Sequence, residues 1–534
     1  MVFMEIITSF KKIEENSNNG KYIGTIYSSP KDLSPNTDHF LFIIDNKTNI
    51  PIVRQGMFCS AQSEEGMVIG RIEEIHVSNE YYANPQTVKN FDQGYLSCIS
   101  NYFPSEKWED FLVYVKVLGV FPKLASRLQT NHHEFDSILK RSYFPVNPGE
   151  KVQIVQGEML ESILGLDKYG LALGTLEHYD TPVEINLSRL INKHTAILAM
   201  SGAGKSYLVS ILLEELLQRS KTNQGTPGIL LFDVHGEYKF FTDHNSPENQ
   251  NYAKYTTLYD AKYLQIGTPS LSAYDFAKFQ PNLSNVQVRE LKNILDKLKY
   301  ELKRDNYTIS DIIGVLEREN GINQKVKGTL IGWLADLERM SIFSDKNYPI
   351  LRKLIQPGRL NIVDLSALIS IRKKQIIVAY LMEQLFSMRR KNEIPPFLIF
   401  IEEAHQFAPE HSIDKSAISK SIIETVAREG RKFYGQICLI SQRPVKLSNT
   451  VLSQCNTHII MRITNPYDLD HIKETSEALI RESTRMISTL PTGNALILGT
   501  ATNFPIFVKI RARVYKNTTD SDDLEKICLQ YSES

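Results

Sequence analysis

The chain predicts an α/β fold in which a mostly parallel sheet carries helices on its faces, preceded by a small N-terminal β-barrel domain and interrupted by a helical insertion. Three observations carry this expectation. From about Asn192 onward, short runs apolar along most of their length alternate with helical patterns, the texture of strands buried on both faces of a parallel sheet. Over the first ~165 residues, short apolar runs between turn residues recur with little 3.6 periodicity, which favours strands. Residues about 270–355 mostly lack apolar runs and show helical periodicity rich in Lys and Glu, as expected of an insertion between core strands.

Length and composition bound the answer. At about 100–200 residues per domain, 534 residues make roughly three domains or two large ones. With 42% hydrophobic and 23% charged residues, the chain is an ordinary packed protein and neither disordered nor fibrous. Lys and Arg total 61, as do Asp and Glu, so the chain does not attract nucleic acid by being basic throughout. A polyanion would have to meet a local basic face. Cys59, Cys98, Cys438, Cys455 and Cys528 are scattered without a C-x-x-C pair, against a disulfide framework or zinc site, and a reduced, cytoplasmic setting is expected. The first eight residues show no basic region before an apolar run, so no signal peptide is expected. No run approaches the ~18 apolar residues that span a bilayer, so no membrane partner is expected.

The elements follow in order. Residues 1–165 form the barrel domain, with strands at Tyr22–Tyr27, Phe40–Ile44, Met67–Ile72 and Leu112–Leu118. The turn clusters Ser34–Asp38 and Pro145–Gly149 separate or close them. Residues 166–534 form the core domain. Thr195–Ala199 reads as its first buried strand, and Tyr207–Leu217 as an amphipathic helix. Further strands are expected at Ile229–Phe232, Leu360–Asp364, Phe397–Ile401, Gln436–Ile440, His458–Met461 and Ala495–Leu498, before a polar, acidic tail at about 515–534.

Ala199-Met-Ser-Gly-Ala-Gly-Lys-Ser206 sits between the first strand and that helix, the arrangement of a P-loop. Small residues let the N–H groups of Ser201, Gly202, Ala203, Gly204, Lys205, Ser206 and Tyr207 close around phosphate, with the positive end of the helix behind them. Lys205 would reach the β- and γ-phosphates of ATP, and the Ser206 hydroxyl would hold Mg²⁺. Ala199 stands where the strict pattern has Gly, and is small enough to fit. Phe397-Leu-Ile-Phe-Ile-Glu-Glu-Ala-His405 ends a strand in two acids, assigning Glu402 to the Mg²⁺ shell and Glu403 to activation of the attacking water. Asp233 closes a third strand within Asp233-Val-His-Gly-Glu-Tyr238, where it orders metal or water or else caps the turn. Ala427-Arg-Glu-Gly-Arg-Lys432 supplies Arg428 and Arg431 as arginine-finger candidates. Gln442, in Ser441-Gln-Arg-Pro444, is placed at a strand end to orient water or sense the γ-phosphate.

Together these segments, with Leu452-Ser-Gln-Cys-Asn-Thr457 and Thr492-Gly-Asn-Ala-Leu-Ile-Leu-Gly499, resemble the HerA family of the FtsK/HerA hexameric DNA-translocating ATPases. Gly56-Met-Phe58 and Val68-Ile-Gly-Arg-Ile72 fit the N-terminal barrel that this family carries. The resemblance implies a RecA-like core, a homo-hexameric ring and double-stranded DNA in its pore. It also implies ATP between subunits, with an arginine completing the neighbour's site and a basic residue upstream of the P-loop strand, Arg189 or Lys193, reaching across. Motors of this kind work with a separate effector, a nuclease or a sirtuin-like NAD hydrolase, in DNA processing or anti-phage defence. The alternative is a ring that binds ATP to assemble and regulate such an effector.

Overall fold

A computed structural model describes residues 22–28, 34–45, 49–79, 109–122, 139–221, 225–245, 247–410, 417–476 and 481–514. Cys98, Cys528, the first eight residues and the tail at 515–534 lie outside them. Two compact units result: 1–167 with 176–181, and the rest of the chain.

In the first unit, β1 (Tyr22–Tyr27), β2 (His39–Ile44), β3 (Phe58–Gln62), β4 (Gly66–Asn79), β5 (Glu109–Pro122) and β6 (Lys151–Ile154) close into a barrel of order β1-β2-β5-β4-β3-β6. Closure leaves no unpaired edge. Alternate residues fill the interior, among them Phe40, Phe42, Val68, Val113, Val115 and Val152, each essentially inaccessible. β4 and β5 run longer than their apolar runs, because both continue as a polar ribbon whose pairing is carried by backbone hydrogen bonds.

The second unit holds one 11-stranded sheet built from β7 (Leu171–Leu176), β8 (Pro182–Ile185), β9 (Thr195–Leu198), β10 (Gly228–Asp233), β11 (Thr256–Asp260), β14 (Leu360–Asp364), β15 (Phe397–Ile401), β16 (Gly435–Ser441), β17 (Thr457–Ile460), β18 (Asn494–Gly499) and β19 (Ile506–Ile510). Its order is β11-β14-β10-β15-β16-β9-β17-β18-β19-β7-β8, and the first seven strands are mutually parallel. β17–β18, β18–β19 and β7–β8 pair antiparallel. β9, β10, β14, β15 and β16 are buried at every residue, as their apolar runs require. Helices α1 (Lys205–Lys221), α2 (Ile371–Arg390) and α3 (Lys420–Phe433) follow β9, β14 and β15 in the chain. β7, β8, β11 and β19 were not legible as strands; β11 is half-buried throughout, so it lacks the apolar run.

The helices Ala273–Phe279, Asn285–Asp296, Ile309–Arg318 and Gln324–Glu338 lie between the short paired strands β12 (Ile266–Gly267) and β13 (Phe343–Ser344). Ser272 with Asp275, Ser284 with Gln287, and Thr308 with Asp311 form capping boxes that start three of them. Among the described residues, no helix is long and apolar enough to cross a membrane.

Gly430 shows how closely α3 approaches the sheet. A Cβ there would overlap the carbonyl oxygen of Gly435, and would sit 3.2 Å from Cε1 of His194. Gly430→Ala is therefore expected to destabilise the core by about 2–4 kcal/mol, since backbone cannot rotate away as a side chain can. A denaturant midpoint unchanged from wild type would refute this.

Candidate active site

The parallel strands bring four segments to one edge of the sheet, at the carboxyl ends of β9, β10, β15 and β16. Ligands of open α/β sheets bind at this edge. After β9 the chain turns through Gly202 and Gly204, at φ +76° and +103°, and enters α1 at Lys205. These left-handed conformations suit glycine, and no atom lies within 4 Å of where a Gly202 Cβ would stand. The turn is open at Gly202.

Lys205 is buried, and its ammonium donates to Oε1 of Glu403 at 2.5 Å. Oε1 of Glu402 lies 3.8 Å from the same nitrogen. Gln442 Nε2 donates to Glu403 Oε1 at 2.8 Å, while His405 Nδ1 stands 3.3 Å from Oε2 and 3.2 Å from Ser441 Oγ. Burial pushes the His405 pKa down against the opposing pull of Glu403, which favours a neutral ring. Glu403 itself sits at φ +46°, ψ +47°, a conformation costly for a residue with a Cβ. The contacts to the P-loop lysine and Gln442 hold its carboxylate in place against that cost. His405 is part of the strand-end motif, yet its place in this network is visible only once β15 and β16 are paired.

Glu402 has a different environment. Its Oε2 accepts from the backbone N–H of Val234 at 2.8 Å and of His235 at 3.3 Å, tying β15 to the end of β10. Its Oε1 is buried with no hydrogen-bond partner. Such an oxygen, 3.8 Å from the P-loop lysine, fits a site for Mg²⁺ or its water shell. Desolvation, reinforced by the charge of Asp233, pushes Glu402 up to about 8. Asp233 is raised in the same direction by its burial. Its Oδ1 accepts from Gly236 and Glu237, and Oδ2 from Tyr238 at 3.0 Å, so Asp233 caps the turn after β10. Among the described residues, no cluster of His, Cys, Asp and Glu is arranged to hold a transition metal.

The raised Glu402 pKa has a sign. The folded protein keeps a proton that the unfolded chain releases above about 4.5, so this group's stabilising contribution is full below that pH and lost as pH rises through about 8. Nucleotide-free protein is expected to melt at a lower temperature at about pH 8 than at about pH 5.5, with a smaller difference in Glu402→Gln. Parallel pH profiles for the two proteins would exclude this.

Arg428 and Arg431 are not brought to this cluster. They lie with Lys193, Lys432 and Tyr434 around a concavity of about 600 Å³ before the amino ends of β9 and β16. The seven residues of β16 separate the two edges by about 23 Å at 3.3 Å per residue, farther than a side chain reaches. Arg189 is engaged elsewhere, donating to the Thr500 carbonyl at 3.1 Å and to Asn503 Oδ1 at 2.7 Å. Lys193, rather than Arg189, shares the concavity with Arg428. Beneath it, His194 accepts the Ile437 N–H at 3.1 Å, and burial holds its pKa at about 4.

Comparison with known proteins decides the family. The family model described as "Helicase HerA, central domain" matches residues 171–385, from β7 into α2. The DNA double-strand break repair helicase HerA of Sulfolobus acidocaldarius is 30% identical over 391 residues, covering 68% of this chain and 74% of that protein. The chain belongs to the HerA family. Its HerA relatives extend across both units: the helicase of the same name from Pyrococcus furiosus is 26% identical over 88% of this chain and 89% of its own. A probable helicase of Methanocaldococcus jannaschii is 28% identical over 92% and 96%. Among solved structures, VirB4 of Thermoanaerobacter pseudethanolicus aligns with a TM-score of 0.51 at 13% identity, over 65% of this chain and 98% of that one, a likeness of fold. The HerA-family core is thus a P-loop ATPase fold of the RecA-like kind, and the chain is an ATPase of the helicase type.

Proposed function

We propose that the chain is the subunit of a homo-hexameric motor that hydrolyses ATP to translocate on double-stranded DNA. The observation that carries this reading is the division of the hydrolytic groups between two edges of the sheet. Lys205, Glu403 and Gln442 stand together at one edge, while Arg428 and Lys193 stand together at the other. No single subunit can bring the two sets to one phosphate, and a ring of subunits can.

In this reading the P-loop N–H groups and Lys205 bind the phosphates, and Ser206 with Glu402 would hold Mg²⁺. The metal supplies charge neutralisation on the phosphate oxygens. Glu403 accepts the proton of the attacking water, and Gln442 and His405 hold its carboxylate in place. Asp233 keeps the turn after β10 in shape, which presents the Val234 and His235 N–H groups to Glu402. Arg428 and Lys193 of a neighbouring subunit meet the charge that builds on the transferred phosphoryl. DNA as the track is supported by relatives that are DNA double-strand break repair helicases, and a cytoplasmic partner effector, nuclease or NAD hydrolase, in repair or anti-phage defence, extends the same reading.

Purified protein is expected to hydrolyse ATP faster with duplex DNA than without it, and to sediment as a hexamer with ATP. Turnover indifferent to DNA would exclude the motor. Turnover by a species that stays at 61.0 kDa would exclude the shared site.

A further inference from the structure

The C-terminal segment 511–514 is fastened to the P-loop helix. Arg511 Nη2 bridges Glu214 Oε2 at 2.9 Å and Glu215 Oε1 at 2.8 Å, and the Val514 N–H donates to Glu214 Oε1 at 2.9 Å. Glu214 is fully buried, so this pairing replaces the water it has lost. On the other side, Arg511 Nε donates to the Ala172 carbonyl at 2.9 Å. Between these anchors, the Arg513 N–H donates to the Tyr207 hydroxyl at 2.8 Å, and its guanidinium lies over the Tyr207 ring, 5.0 Å from the centroid. Both side chains are half-buried.

Tyr207 is the residue after Lys205 and Ser206, on the first turn of α1. Phosphates held by that turn leave the nucleoside to emerge along its flank. Its flank here is an aromatic ring, held through its hydroxyl, with a guanidinium over it. Both are groups of the kind on which nucleobases stack. We propose that Arg513, with Tyr207, forms the surface on which the base of the nucleotide lies, making the C-terminal segment part of the ATP site. This rests on the ATPase reading above.

Inorganic tripolyphosphate separates base from phosphate recognition. In full-length protein, Arg513→Ala is expected to weaken ATP binding about 10-fold by calorimetry while tripolyphosphate binds as to wild type. Arg513→Lys, which keeps the charge and loses the planar stack, should fall between them. Parallel weakening of both ligands, or no change in either, would overturn the inference and leave Arg513 as a brace. Wild-type protein that binds neither ligand would instead overturn the ATP site itself, and the inference with it.

Discussion

Glu403→Gln is expected to lower ATP turnover about 10²–10⁴-fold while ATP binds at least as tightly as to wild type. The first half follows from the loss of the carboxylate that takes the water proton, since an amide of the same shape has no such basicity. The second half follows from the nucleotide-free geometry. The Lys205 ammonium is held by Glu403 at 2.5 Å, and phosphate has to compete for it. Removing the negative charge removes the competitor. The same loss leaves a buried ammonium with Glu402 alone at 3.8 Å, so nucleotide-free Glu403→Gln should melt lower than wild type, with the gap narrowing when ATP is bound. Turnover retained at the wild-type rate would remove Glu403 from the mechanism. Turnover and affinity lost together would make its role one of binding.

Arg428→Ala is expected to reduce turnover by about 10³-fold, the lower end of what an arginine finger contributes. The larger consequence lies in mixtures. A Lys205→Ala subunit lacks a working P-loop and still carries Arg428; an Arg428→Ala subunit has the reverse. If the arginine acts across an interface, mixing the two inactive proteins should restore part of the activity, because some interfaces pair an intact P-loop with an intact arginine. The strand length between the two edges forbids the same rescue within one subunit. No recovery on mixing, with hexamers formed, would exclude the shared site.

Much of the core was legible because the physics that made it is local. Leu360–Asp364 and Phe397–Ile401 are strands with the bounds their apolar runs predict, since a strand buried on both faces has no polar positions to blur its ends. The P-loop was legible for a related reason. Phosphate binding by backbone needs small residues, a lysine and a helix start in one short stretch. The strand-end acids Glu402 and Glu403 could be read the same way. A metal-shell role for one and a water-activating role for the other could be assigned there too, but their different environments could not, because Glu402 is bound by the N–H groups of Val234 and His235, residues distant in sequence.

The sequence by itself thus determined the strands buried on both faces, the phosphate-binding turn and the inventory of charged groups, all properties of contiguous residues. Which edge each group occupies was decided only by the parallel pairing of β9, β15 and β16. That pairing places Gln442 and His405 around Glu403 and sends Arg428 and Lys193 to the far side. Along the chain, the Arg-Glu-Gly-Arg-Lys segment lies between two active-site strands. In space it precedes β16, and a strand's length of backbone stands between it and the P-loop. Proximity in sequence does not survive a strand that runs from one edge of the sheet to the other, and only the folded chain shows which edge a residue occupies.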